Sequence, residues 1–312
     1  MPTPVVFSGS AHPQLAKAIC EQLEIRLGQI ESRPFKDGER FVKILENVRG
    51  RGCYVIQPTC NPANEHIMEL LLIIDALKRA SARSVCAVIP YFGYSRQDRK
   101  EQGRVPISAK LVANLLTVAG ADRVMAIDLH VGQIQGFFDI PLDHLYAINP
   151  LVNHITKMGI ENGTVLSPDI GNVKRARAYA ERLNLPLAIV DKRRPAPNVS
   201  QVMNVIGEIK GRNILIFDDM IDTAGTLCGG IQAILDRGAV DIYACATHAV
   251  FSADAHQRLR DSPIKKVIVT DTIPQKPDGL GDKLEIVSVA PMLADAIMRV
   301  HRNLSVSALF EE

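Results

Sequence analysis

The stretch Asn213-Ile-Leu-Ile-Phe-Asp218-Asp219-Met-Ile-Asp222-Thr223-Ala224-Gly225-Thr226 runs from an apolar strand into two acids, a turn of small residues and the start of a helix. Each part has a physical use. At the carboxyl end of a parallel strand, the N–H groups of a tight Thr-Ala-Gly-Thr turn and of the following helix N-terminus point outward and form a cradle for a phosphate dianion. The hydroxyls of Thr223 and Thr226 add donors. Asp218 and Asp219 stand just before the cradle, where they can accept hydrogen bonds from vicinal hydroxyls of a sugar whose phosphate fills the turn. An Asp pair alone serves equally well as a helix cap. The whole run from Asp218 to Thr226 reads as a phosphosugar site. The chain has no Gly-x4-Gly-Lys-Ser/Thr and no Gly-x-Gly-x-x-Gly, so P-loop and dinucleotide readings lose their main support.

Outward from this strand, short Val-, Ile- and Ala-rich runs alternate with longer amphipathic segments, the pattern of parallel sheets covered by helices. The class is α/β. Strands are expected at Val5 to Phe7, Cys53 to Ile56, Val85 to Pro90, Val124 to Ile127, Val165 to Leu166, Leu187 to Val190, Ile214 to Phe217, Ile242 to Ala246 and Lys266 to Thr270. The clearest helix is Asn64 to Ala80, where Ile67, Leu70, Leu71, Ile74 and Leu77 recur at three- and four-residue spacing, and Lys78 and Arg79 suit the C-terminal dipole.

At 312 residues the chain has room for two domains of roughly 150 residues each. Its 47% hydrophobic content excludes a disordered chain. The 36 Lys and Arg against 34 Asp and Glu leave a net +2, which gives no general footprint for nucleic acid. The cysteines show no C-x-x-C spacing and several sit in apolar runs, which disfavours zinc and disulfides and fits a reducing compartment. The N-terminus lacks the pattern of a secretory leader. The apolar stretch Ile67 to Ala76 is broken by Glu69 and Asp75, short of the roughly 18 uncharged residues of a membrane span. A soluble, cytoplasmic protein without membrane or nucleic-acid partners is expected.

Lys110 to His130 aligns without gaps on Cys228 to His248, each reading helix, Gly-Ala, strand, His, with Gly120, Ala121, Ala126 and His130 matched by Gly238, Ala239, Ala244 and His248. A duplication and ordinary βαβ grammar account for this equally. Pro141 to Pro150 is the natural joint between halves, and the Pro- and Gly-rich stretches at Pro195 to Pro197 and Pro274 to Gly281 read as loops.

Asp218 to Thr226 resembles the phosphoribosyl-diphosphate loop of the type I phosphoribosyltransferase-like fold. Four further runs narrow the likeness: Asn64-Glu-His-Ile-Met-Glu-Leu-Leu, Pro90-Tyr-Phe-Gly-Tyr-Ser-Arg-Gln-Asp-Arg-Lys100, Gln133-Ile-Gln-Gly-Phe-Phe-Asp-Ile-Pro141 and Asp191-Lys-Arg-Arg-Pro-Ala-Pro-Asn198. Together with the tail Ser305-Val-Ser-Ala-Leu-Phe310 they closely resemble the ribose-phosphate pyrophosphokinase family over almost the whole chain.

That resemblance implies two similar phosphoribosyltransferase-like domains, residues 1–145 joined by the tail 296–312, and residues 146–295. It implies an enzyme that transfers the diphosphoryl group of ATP to O1 of ribose 5-phosphate, giving phosphoribosyl diphosphate and AMP for nucleotide biosynthesis. Phe35, Asp37, Gly38 and Glu39, with Arg96, Gln97, Asp98 and Arg99, match the family's ATP-binding segments. An aromatic ring suits adenine and an Arg fork suits phosphate. His130 and Asp169, each after an apolar strand, match its Mg²⁺ ligands. Lys192 and Arg194 match its catalytic cations, on a lid closing over the transferring group, with Arg194 also near ribose 5-phosphate. Asp218, Asp219, Asp222, Thr223, Ala224, Gly225 and Thr226 match its ribose 5-phosphate segment. Arg49, Ser81, Arg104, Ser305 and Ser307 match positions that bind a regulatory phosphate, in a homohexamer built from dimers that phosphate activates and ADP inhibits. Cys228 lies at helix spacing with Ile231 and is expected to pack rather than react.

One departure stands out. Where the family has Gly-Gly after Ser-Pro-Asp-x, this chain has Gly171-Asn172. Asn tolerates a left-handed backbone better than most residues, so the turn is expected to keep its shape. The competing readings are a phosphoribosyltransferase, which would have little use for the Phe35 and Arg96 segments, and a non-catalytic regulatory homologue, against which Lys192, Arg194, His130 and Asp169 argue.

Overall fold

Strands that are buried along their whole length belong inside parallel sheets covered on both faces, and the apolar runs of this chain form such strands in two sheets. The computed structural model describes residues 3–193, 202–275 and 279–310. Its contacts divide them into two units.

The first unit takes the described residues of Met1–Tyr146, Thr272–Pro274 and Ser288–Glu312. It begins with β1 (Val5–Ser8), α1 (Pro13–Gln22) and a separate antiparallel hairpin, β2 (Ile30–Pro34) with β3 (Arg40–Ile44). Next come β4 (Gly52–Ile56), α2 (Ala63–Arg79), β5 (Ser84–Ile89), α3 (Ser108–Ala119), β6 (Arg123–Ile127) and β7 (Leu142–Leu145). The sheet is parallel, in the order β1-β4-β5-β6-β7. Helix α2 covers it with Ile67, Leu70, Ile73, Ile74 and Leu77, while Leu71 is only partly buried. Each such side chain contributes roughly 1.5–3 kcal/mol on burial. Lys78 in the last turn pairs with Asp122 at 3.0 Å.

The second unit takes Ala147–Asp271 and the described part of Gln275–Val287. Its elements are α4 (Ile148–Met158), β8 (Gly163–Ser167), α5 (Val173–Leu183), β9 (Leu187–Arg193), β10 (Val202–Ile206), β11 (Asn213–Ile221), α6 (Gly225–Leu235), β12 (Ile242–Ala249), α7 (Ala255–Asp261), β13 (Lys266–Thr270) and β14 (Leu284–Val287). The strand order is β10-β9-β8-β11-β12-β13-β14, parallel throughout except at β10–β9. Phe217 of β11 stacks on Tyr179 of α5, ring centroids 3.8 Å apart, which locks helix to sheet beside the site. The chain then returns to the first unit as α8 (Ala290–His301), which packs on α1 and buries Leu293 and Ile297.

All nine expected strands are present, most of them longer than their apolar cores. The strands not foreseen are β2, β3, β7, β10 and β14; β2, β3 and β7 are interrupted by charge, and β7, β10 and β14 lie at sheet edges. In both aligned repeat segments a helix, a glycine with positive φ (Gly120, 104°; Gly238, 91°) and a buried parallel strand follow in order. That backbone conformation favours glycine, which explains the shared Gly-Ala. Within Pro141 to Pro150, β7 completes the first sheet and the units change after Tyr146. The Pro195 to Pro197 loop lies outside the described residues, as does part of Pro274 to Gly281. Among the described residues no helix is long and apolar enough to cross a membrane.

Candidate active site

Strand β8 accompanies β11 only as far as Leu166 opposite Ile216, whereas β12 continues beside β11 to Ala249 opposite Ile221. Where β8 leaves, a crevice opens at the carboxyl edge of the sheet, the place where α/β folds bind ligands. A cavity of about 200 Å³ occupies it, lined by Asp169, Asp218 and the turn from Asp222 to Thr226. The turn is tight because Ala224 takes a left-handed conformation, φ 57° and ψ 5°, immediately before α6. Such a residue is held in place by its surroundings. Here Arg258 Nη1 donates to Thr223 O at 2.9 Å, Ser252 Oγ donates to Asp222 Oδ1, and Cys228 N donates to Ala224 O at 2.9 Å.

The two acids differ. Asp218 is half-buried and faces the cavity, whereas the Asp219 side chain is only 7% exposed and does not line it. Arg175 of α5 reaches both, 3.3 Å from Asp218 Oδ1 and 3.0 Å from Asp219 Oδ1, and Asp219 N donates to Asp218 Oδ1 at 2.8 Å. Burial, reinforced by the side chain and the charge of Asp219, raises the Asp218 carboxyl well above the ordinary 3.8 towards neutrality, despite the opposing pull of Arg175 and of the Asp219 N–H.

A raised folded-state pKa means that the folded protein holds a proton which the unfolded chain has already released, so Asp218's contribution to stability is greatest at low pH. It is lost as pH rises from 3.8 towards the raised value. Thermal unfolding of the wild type and of Asp218→Asn across that window is expected to show the wild type losing stability relative to the variant as pH increases. A constant difference would place the proton elsewhere.

Asp169 follows β8, is exposed, and accepts the Asn172 N–H on Oδ1 at 2.9 Å. Asn172 itself departs from expectation: its φ is −90° and its ψ 0°, so no left-handed backbone is required. Its side chain bridges the crevice instead, with Nδ2 donating at 2.6 Å to Phe217 O, the residue next to Asp218. That carbonyl lies just beyond the last β8 pairing, and the amide takes the place of the missing strand. Asn172→Gly is expected to cost about 1–2 kcal/mol by leaving Phe217 O unpaired and freeing the backbone, measurable by urea unfolding.

The cations stand differently. Strand β9 does not end at Val190 but continues through Arg193, with Lys192 opposite Met203 of β10, so Lys192 belongs to a paired strand rather than to a loop. Ser167 pairs with Ile189, which sets Lys192 beyond the same strand end as Asp169. Arg194, and with it the expected lid, lies outside the described residues. Arg175, Arg258 and Ser252 were not anticipated. The two arginines sit on helices whose composition resembles a solvated face, and only the short step from Asp169 to Arg175 hinted at a role.

In the first unit, Phe35, Asp37, Gly38 and Glu39 form the tip of the β2–β3 hairpin, closed by Phe35 N donating to Glu39 O at 2.6 Å. Phe35 is 42% exposed, its ring edge-on to Phe41 at 5.9 Å, and the Arg33 guanidinium lies over both rings at 5.2 and 4.8 Å. Arg96 to Arg99 occupy the loop after β5; Arg96 and Arg99 are exposed, and Gln97 accepts from Ser108 Oγ at 2.5 Å. His130 follows β6 and is half-buried. Arg49 bridges Ala82, and Gly50 N donates to Ser81 O, which brings Arg49 and Ser81 together. Ser305 and Ser307 share a 2.7 Å hydrogen bond, and Arg104 lies on the loop before α3. Cys228 is half-buried and its thiol is raised by burial, the state of a packed side chain. Among the described residues no three His, Cys, Asp or Glu side chains converge as a metal cluster.

The comparisons with known proteins agree on one family. Residues 4–120 match the model of the N-terminal domain of ribose phosphate pyrophosphokinase, and residues 194–311 match that of the phosphoribosyl synthetase-associated domain. The ribose-phosphate pyrophosphokinase of Caldanaerobacter subterraneus is 54% identical over 306 residues, 98% of this chain and 97% of that protein. The Neisseria meningitidis protein of the same name is 54% identical over 310 residues, 99% and 95% of the two chains. The crystal structure of phosphoribosylpyrophosphate synthetase from Mycobacterium smegmatis superimposes with a TM-score of 0.90 at 42% identity, covering 96% of this chain and 99% of that one. Matched by both family models and by relatives over nearly their full length, the chain belongs to the ribose-phosphate pyrophosphokinase family of enzymes.

Proposed function

We propose that the protein transfers the β,γ-diphosphoryl group of ATP to ribose 5-phosphate as follows. The 5-phosphate occupies the turn from Asp222 to Thr226, held by backbone N–H groups, threonine hydroxyls and the α6 N-terminus. Asp218 accepts from the ribose hydroxyls, and Arg175 holds Asp218 and Asp219 in register. O1 of the sugar attacks the β-phosphorus; a new O–P bond forms, the bond from that phosphorus to the α,β-bridging oxygen breaks, the hydroxyl releases its proton and AMP departs. Catalysis of such a step rests on positioning and charge stabilisation rather than on a protein nucleophile. Lys192 and Arg194 supply cationic charge to the transferring group.

The Asp169 carboxylate suits Mg²⁺. Asp169 is exposed, offers a hard oxygen and uses only Oδ1 for the Asn172 N–H, and His130 stands at a strand end. We assign Mg²⁺ binding to these two side chains, with phosphate oxygens and water as further ligands, since this ion keeps much of its hydration. When bound, it neutralises charge on the transferring phosphates.

ATP is assigned to Phe35, Asp37, Gly38 and Glu39 with Arg96, Gln97, Asp98 and Arg99, where the exposed Phe35 ring offers a stacking face for adenine. The first unit would then form the nucleotide domain and the second the sugar-phosphate domain, with the tail joining the first from Ser288, ahead of α8, rather than from 296, which would cut that helix. A cytoplasmic homohexamer fits the exposed stripe Leu111, Leu115 and Val118 on α3, apolar surface that an interface would cover. Arg49, Ser81, Arg104, Ser305 and Ser307 are assigned to regulatory phosphate, to be tested by activity across phosphate and ADP concentrations.

The observation that carries the reading is the cavity that joins the turn, Asp218 and Asp169 at one sheet edge. Its test is ³¹P NMR of the protein with ATP, Mg²⁺ and ribose 5-phosphate. AMP with a sugar-linked diphosphate is expected. ADP would mean simple kinase chemistry, and an unchanged spectrum would overturn the assignment.

A further inference from the structure

The Glu69 carboxylate on α2 is completely buried and takes no part in the chemistry above, yet it collects donors from four places in the chain. Oε2 accepts from Ser10 N at 3.1 Å, from Ser10 Oγ and from Gln57 Nε2 at 2.8 Å. Oε1 accepts from Ser32 Oγ and from Arg40 Nη1 at 2.9 Å. Burial alone would push this carboxyl up, but the hydrogen bonds from Ser10 and Ser32 and the charge of Arg40 outweigh it and hold Glu69 ionised.

Two of these partners belong to the hairpin. Ser32 lies on β2 and Arg40 on β3, on either side of the tip that carries Phe35 to Glu39. The register, Ser32 opposite Val42 and Pro34 opposite Arg40, puts both on one face of the ribbon, with Arg33 and Phe41 paired on the other. The hairpin has no ladder to the main sheet, and a lone two-stranded ribbon is marginal in water. Ile30, Val42 and Ile44 pack its base on the core, and Glu69 fastens it nearer the tip.

We propose that Glu69 is a positioning residue for the nucleotide: it fixes one face of the β2–β3 hairpin through Ser32 and Arg40, so that the other face holds Arg33, Phe35 and Phe41 as a preset platform for an adenine base. This rests on the reading that the hairpin tip binds ATP. A displaced platform weakens nucleotide binding and leaves the sugar site untouched.

The test uses the full-length enzyme with Glu69→Gln, Arg40→Met, Arg40→Lys and, as a reference, Phe35→Ala. Glu69→Gln and Arg40→Met are expected to raise KM for ATP about tenfold with KM for ribose 5-phosphate unchanged, while Arg40→Lys retains the ion pair and stays near wild type. Hydrogen exchange in residues 30–44 is expected to accelerate in Arg40→Met while exchange in the second unit stays the same. A rise in both KM values alike, or an unchanged KM for ATP where Phe35→Ala raises it, overturns the proposal. If Phe35→Ala itself leaves KM for ATP unchanged, the nucleotide reading of the tip has failed; exchange then decides whether Glu69 holds the hairpin, and no acceleration overturns that as well. Should Glu69→Gln not fold, Arg40→Met decides alone.

Discussion

Lys192→Ala is expected to lower kcat about a thousandfold while ATP and ribose 5-phosphate still bind, because in its proposed role the cation acts mainly on charge that develops in the transition state. The backbone supports this. Lys192 lies in the paired end of β9, past the strand position level with Ser167, and so comes from the same sheet edge as Asp169. An anchored strand carries less positional freedom than a loop, and preorganised charge needs little rearrangement during the reaction. Single-turnover kinetics with isothermal titration of ATP separates the possibilities. Equal losses in affinity and rate would make Lys192 a ground-state binding residue.

Asp218→Ala is expected to lower kcat/KM for ribose 5-phosphate about a hundredfold, the scale of two lost hydrogen bonds to the sugar, with KM for ATP unchanged. Asp219→Ala should act differently. Its carboxylate is buried against Arg175 and outside the cavity lining, so its removal takes a buried ion pair from Arg175, and lowered thermal stability should accompany any kinetic loss. Steady-state kinetics and melting curves of both variants check this, and equivalent behaviour of the two acids would contradict the division of roles.

What was legible in the sequence was whatever local chemistry dictates. Ile214 to Phe217, followed by Asp218 and a turn of small residues, can scarcely be anything but a buried parallel strand, and the structure has that strand, with a cavity at its carboxyl end. The β2–β3 hairpin was not legible as strands, because the polar Ser32 and Arg40 on its inner face and Phe41 on its outer face break its alternation, and its stability comes from partners distant in sequence, Glu69 above all. Arg175 and Arg258 were missed for the same reason: a cation on an amphipathic helix reads as solvated until the acid or carbonyl that it meets is known. Asn172 was noticed, but for its backbone tolerance; its contribution is a side-chain amide that satisfies a carbonyl left unpaired by a departing strand.

The return of α8 to the first unit bears on synthesis. A chain emerging from the ribosome presents β1, α1 and the rest of the first sheet before the second unit, yet the helix that packs on α1 is made only after that unit. Every element of the second unit precedes α8, so that unit can finish first, although the first was begun earlier. Until then, the part of α1 that α8 covers stays exposed, and a stop codon shortly before Ala290 would harm the half of the protein made first.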